Sequence, residues 1–196
     1  MKTVTALFDD YSDASAAVNA LEARGFPSED ISIISNYTDR SQNESNAAQG
    51  AGTGAGIGAA IGGVGGLLAG LGLMAIPGVG PVVAAGWLAA TATGVAAGAV
   101  AGGAAGGLIG ALTDAGISEE HAHVYAEGVR RGGTLVTARV DESRYMEAQE
   151  VLRASHLVDP AARRASYEKE GWSRFDERLD PYSSAEIEQE RLRYRR

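Results

Sequence analysis

The chain has 196 residues, with 17 basic and 25 acidic side chains giving a formal net charge of −8. That balance excludes a general nucleic-acid binder, whose footprint is basic, and the lack of cysteine excludes a disulfide framework, a thiolate metal site and a thiol nucleophile. Glycine is concentrated: 22 of the 27 lie between Gly50 and Gly116, where the stretch from Ser45 to Thr113 holds no Asp, Glu, Lys, Arg or His.

The opening MKTVTALFDDYSD has no long apolar run ahead of its acidic residues, so no secretory signal peptide is expected. Thr3 to Phe8 is short and β-prone and predicts a strand. Ser12 or Asp13 can cap a helix whose apolar positions Ala14, Ala17, Val18 and Leu21 recur at three- and four-residue spacing; Gly25 stops it and Pro27 prevents its resumption. Ile31 to Ser35 is the next predicted strand, followed by the polar loop NYTDRSQNESN.

The glycines then fall into register. Gly50, Gly54, Gly58, Gly62, Gly66 and Gly70 are four apart, and Gly86, Gly94, Gly98, Gly102, Gly106 and Gly110 keep the same step, with Ala90 filling the gap. Four residues is close to one helical turn, so each series predicts a groove free of side chains along one helix, where another backbone can approach. Ile76 to Pro81 predicts the turn of a helical hairpin. The nine glycines in residues 53–75 each cost about 1 kcal/mol relative to alanine, so such a helix needs packing or a lipid environment to hold it. At 1.5 Å per residue this segment reaches about 35 Å, enough for a hydrocarbon core of about 30 Å. A membrane hairpin is the expectation, with Trp87 as an interfacial anchor or a packing residue; a tightly packed soluble oligomer core is the alternative.

Beyond the insert, Ser118 with Glu119 and Glu120 opens a helix that ends at Arg130 and Arg131, before Gly132 and Gly133. Thr134 to Val140 alternates and is β-branched, predicting a strand; Asp141 then caps a helix through Tyr145, Ala148, Val151 and Leu152. His156 to Pro160 predicts a short edge strand. The fold expected is α+β, a ferredoxin-like split βαβ domain interrupted by a long Gly/Ala-rich helical hairpin. Its divisions are 1–47 and 117–162 for the two halves of the domain, 48–116 for the glycine-zipper hairpin, and 163–196 for a charged C-terminal extension.

Three stretches carry a resemblance: VTALFDDYSDASAAVNALEARGFPSEDISIIS at 4–35, the glycine ladder at 50–110, and ISEEHAHVYAEGVRRGGTLVTARVDESRYMEAQEVL at 117–152. Together with WSRFDERLDPYS at 172–183, they resemble a bacterial family of small general stress proteins, the heat-induced YflT-like domain proteins, many of which carry a glycine-zipper hairpin. The resemblance implies a stress-associated protein with membrane association, and it supplies no active-site residues.

No catalytic, cofactor-binding or metal-binding residues are assigned. His121 and His123 are two apart, so a regular helix points them about 200° from each other and they cannot share one ion. The insert has no Lys or Arg to complete a phosphate loop. Asp9, Asp10 and Asp13 lack the ligand pattern of a calcium loop and read as acids at a helix start. Tyr167, Trp172, Phe175 and Tyr182 interleave with charges, as a docking strip or as a solvated tail. The functional expectation is a non-enzymatic, membrane-associated homo-oligomer that self-assembles through the ladder glycines, with its flanks cytoplasmic. The alternative is a ligand- or partner-binding module.

Overall fold

The structure, a computed structural model, describes residues 1–36, 72–76, 79–88 and 107–194. In chain order it contains β1 (Lys2–Phe8), α1 (Tyr11–Ala23), a 3₁₀ turn (Ser28–Asp30), β2 (Ile31–Asn36), β3 (Gly72–Ile76) and β4 (Gly80–Gly86). There follow α2 (Gly107–Asp114), α3 (Glu119–Arg130), β5 (Thr134–Val140), a second 3₁₀ turn (Glu142–Arg144), α4 (Tyr145–Arg153), α5 (Pro160–Lys169) and α6 (Ser184–Tyr194). The described strands form one antiparallel sheet in the order β1-β5-β2-β4-β3, and the class is α+β.

Alternation along the strands divides the core into two layers. Val4, Ala6, Phe8, Ile31, Ile33, Val136 and Ala138 face α1 and α4, where they meet Ala14, Val18, Leu21 and Leu152. Leu7, Ile34, Val82, Ala84 and Leu135 face the other way, toward Leu108 and Leu112 of α2 and Ala126 and Val129 of α3. Each fully buried Leu, Ile or Val contributes about 1.5–3 kcal/mol, so the apolar spacing of the sequence fixes which face of each element turns inward. The predicted start of α3 also holds: the Ser118 hydroxyl accepts from the His121 N–H at 3.4 Å.

Three expectations are corrected. Ile76 and Pro81 belong to adjacent strands and not to a helical hairpin, with Ile76 paired to Gly80 and Gly72 to Ala84. Val82 and Val83 are β-branched, Pro81 cannot extend a helix, and the edge of β2 offers a ladder that Val82 to Gly86 completes against Asn36 to Ser32. A helical hairpin over residues 72–86 is therefore excluded. Gly86 is not a helix-packing residue: its φ of +91° ends β4, and a Cβ there would sit 2.1 Å from the Ile31 carbonyl oxygen.

The second concerns the 48–116 division: Ile76, Val79, Val82 and Leu88 are buried in the layer that contains α3, so part of that segment belongs to the core. The third concerns residues 156–160, which form no strand. The Val158 N–H makes a single bond to the Leu7 carbonyl at 2.8 Å, and Asp159 then caps α5 by accepting from Ala161 and Ala162. Pro160 at the first helical turn favours that early switch to helix.

Candidate functional site

The predicted helix-packing residues divide by position. Gly50, Gly54, Gly58, Gly62, Gly66, Gly70, Gly94, Gly98, Gly102 and Gly106 lie outside the described residues. Gly110 lies in α2, beside buried Ala111 and Leu112. Trp87 packs against the body: its indole N–H donates to the Asp30 carbonyl at 3.0 Å and the Arg139 guanidinium stacks 4.8 Å from its ring. Among the described residues no helix is long and apolar enough to cross a membrane, and no group of His, Asp or Glu is placed to hold a metal ion.

The three acidic residues after β1 are not gathered round a common ion. Asp9 receives both Arg163 Nη1 and Nη2 at 2.7 Å, and Asp10 faces Arg191 at 3.4 Å, so two of them tie the C-terminal helices to the start of the chain. The paired arginines come from a region that composition alone leaves open as a docking strip or a solvated tail; Tyr167, Phe175 and Ile187 are buried, so it docks.

At the centre of that docking lies a cluster that the sequence reading missed. Glu127 of α3 is 0% exposed and receives Arg130 at 2.5 and 3.0 Å and Arg131 at 2.6 Å. Arg131 continues to Glu170 at 2.7 Å and Glu190 at 3.0 Å, and Arg193 closes the circuit on the same two carboxylates. Three carboxylates thus balance three guanidiniums. Tyr167 lies 4.0 Å under the Arg131 guanidinium and Tyr182 5.0 Å under that of Arg130; burial pushes the Tyr167 phenol well above its ordinary range. Gly132 completes the contact, since at φ +100° it leaves room for Ile187, whose side chain a Cβ would meet at 2.6 Å. The local signal for this cluster is Glu127, three and four residues before Arg130 and Arg131. With every member paired, it has structural work and no free group for chemistry.

A second feature is open. Among the described strands β1 lies at the edge of the sheet, and beside it runs a groove of about 480 Å³ whose floor is Thr3 to Ala6. One wall is the N-terminal part of α3, with His121 and Tyr125; the other is α4, with Tyr145, Gln149 and Arg153; Leu157 and Val158 close one end. Burial pushes the Tyr125 phenol up to about 12.

Residues 3–75 match the family model of the heat-induced stress protein YflT domain. This is the family that the sequence resembles, and the match runs from β1 through α1 and β2 into β3. Neither a curated protein nor a solved structure matches the chain. The YflT match includes the groove's floor, while both walls and the ion cluster come from the remainder of the chain.

Proposed function

We propose that this protein acts in the stress response as a non-enzymatic binding module, built on a ferredoxin-like unit of β1, α1, β2, β5 and α4, and that it binds a partner protein along the edge of β1. One observation carries this reading: the groove over Thr3 to Ala6 is open beside a strand edge while the buried charges of the molecule are engaged with one another. Strand edges left open are sites of pairing with another chain. The test is a titration of isotope-labelled protein with a mixture of short, alternating-pattern peptides, followed through the backbone amides of Thr3 and Thr5. Shifts confined to β1 and the groove walls are expected; unmoved amides would overturn the reading.

A second reading concerns 48–116, as a segment that drives self-association at a membrane. It is supported by the four-residue register and by Gly110, which lies on a helix as the ladder requires. Gly62→Leu and Gly102→Leu are then expected to lower the assembly state by native mass measurement and to reduce flotation with liposomes, and parental behaviour of both would exclude it.

A further inference from the structure

We propose that the groove along β1 takes an extended, acidic segment of its partner, which joins the sheet as a further strand beside β1. This rests on the reading of the groove as a binding site and names what fills it.

Backbone polarity comes first. Along a strand, the N–H and C=O of alternate residues point to the same side. The Leu7 carbonyl points to the free side, since it accepts from the Val158 N–H at 2.8 Å. The N–H and C=O of Thr3 and Thr5 therefore point there too, into the groove. Residues 157 and 158 begin to cover the edge and then leave it for α5 after one bond, so the stretch from Thr3 to Thr5 is uncovered by any described strand. The Thr5 hydroxyl, buried and without a hydrogen-bond partner, is a further polar atom on this floor that an added strand could satisfy.

Shape decides between a peptide and a second copy. Strands pair at about 4.8 Å, whereas a helix with its side chains is about 10 Å across. A second copy would bring its own α3 and α4 on either side of its β1, and these would meet the first copy's walls before the strands paired. A bare segment of about three or four residues, at about 3.4 Å each, matches the length of the open edge from Thr3 to Ala6.

Charge decides the partner's chemistry. The protein carries a net charge of −8, yet no Asp or Glu lines the groove. Several carboxylates around it are engaged: Glu119 with His123 at 3.6 Å, Glu120 with Arg164 at 2.6 Å, Glu142 with Lys2 at 2.6 Å and Glu147 with Arg144 at 3.0 Å, while Asp159, beside Val158 and Pro160, caps α5. Arg153 lines the groove, is exposed, and makes no ion pair with any described residue. His121 adds a second donor on the opposite wall. An acidic side chain on the incoming strand would pair with Arg153.

The experiment uses the full chain and a short capped peptide of alternating valine and threonine with a central glutamate. Binding is followed by fluorescence anisotropy and by the Thr3 and Thr5 amides. The glutamate peptide is expected to bind at least tenfold more tightly than its lysine counterpart, and Arg153→Glu to reverse that order. Methylating the peptide's backbone nitrogens at alternate residues is expected to abolish binding in one register and spare it in the other, the signature of strand addition. Equal binding of glutamate and lysine peptides, or equal effects of the two methylation registers, would overturn the inference while leaving the groove a binding site. A concentration-dependent dimer with Thr3 and Thr5 amides already protected would overturn it in favour of a second copy. Failure of every peptide to move those amides would remove the groove itself.

Discussion

On one face of the sheet, α1 and α4 meet β1, β2 and β5 through Val18, Leu21, Ile33 and Val136, all apolar and all fully buried. On the other face, α3 sends Ala126 and Val129 to the sheet but turns Glu127, Arg130 and Arg131 outward under α5 and α6, where they are buried as well. The first face is held by the removal of apolar surface from water. The second adds a layer held by matched charge, in which each group is stable only because its neighbours are present. Such a layer is specific, since a buried ion without its partner is costly, whereas apolar packing tolerates exchange of similar volumes.

The sharpest way to break this comparison is to remove one charge. Glu127→Gln keeps the shape of the side chain and leaves Arg130 and Arg131 short of their shared carboxylate; a loss of about 3–5 kcal/mol is expected, read by denaturant unfolding. A loss below 1 kcal/mol would show that the cluster is solvated. Leu21→Ala on the apolar face is expected to cost about 2–5 kcal/mol through the lost burial and the cavity left behind. The two variants should also differ in kind: the Leu21 variant keeps α5 and α6 docked, whereas the Glu127 variant exposes residues 160–194 to limited proteolysis first.

A smaller effect sharpens the same contrast through pH. The Tyr125 phenol is raised from 10.0 to about 12 by burial, so the fold prefers its neutral form. Its contribution is complete below pH 10 and is lost as pH rises through about 12. Tyr125→Phe should therefore flatten the alkaline end of the stability profile, read by thermal unfolding at stepped pH; an unchanged profile would mean that this ring titrates freely.

The apolar face was legible because its information is local. Ala14, Ala17, Val18 and Leu21 repeat at helical spacing, Thr134 to Val140 alternates, and burial follows from those periods. The charged face was not legible, because its partners are far apart in sequence: 39 residues separate Arg131 from Glu170, 59 separate it from Glu190, and 154 separate Asp9 from Arg163. A charged helix face reads the same whether water or a distant helix covers it. The insert misled for a different reason. The four-residue glycine step passes through Gly86, and that register outweighed the β-branched pair Val82 and Val83 between Pro81 and the strand end. The open edge of β1 was concealed in a similar way, since His156 to Pro160 has the composition of a strand, and only the cap at Asp159 shows that the chain turns to helix.

The order in which the chain emerges during synthesis gives the ion cluster a temporal side. Glu127, Arg130 and Arg131 leave the ribosome together, but Glu190 follows Arg131 by 59 residues. At about 5–20 residues per second, that interval is roughly 3–12 s, during which the cluster lacks Glu190 and the helix that carries it. The charge balance of that face is therefore completed only when α6 has left the ribosome, so the docking of the C-terminal helices closes the circuit last.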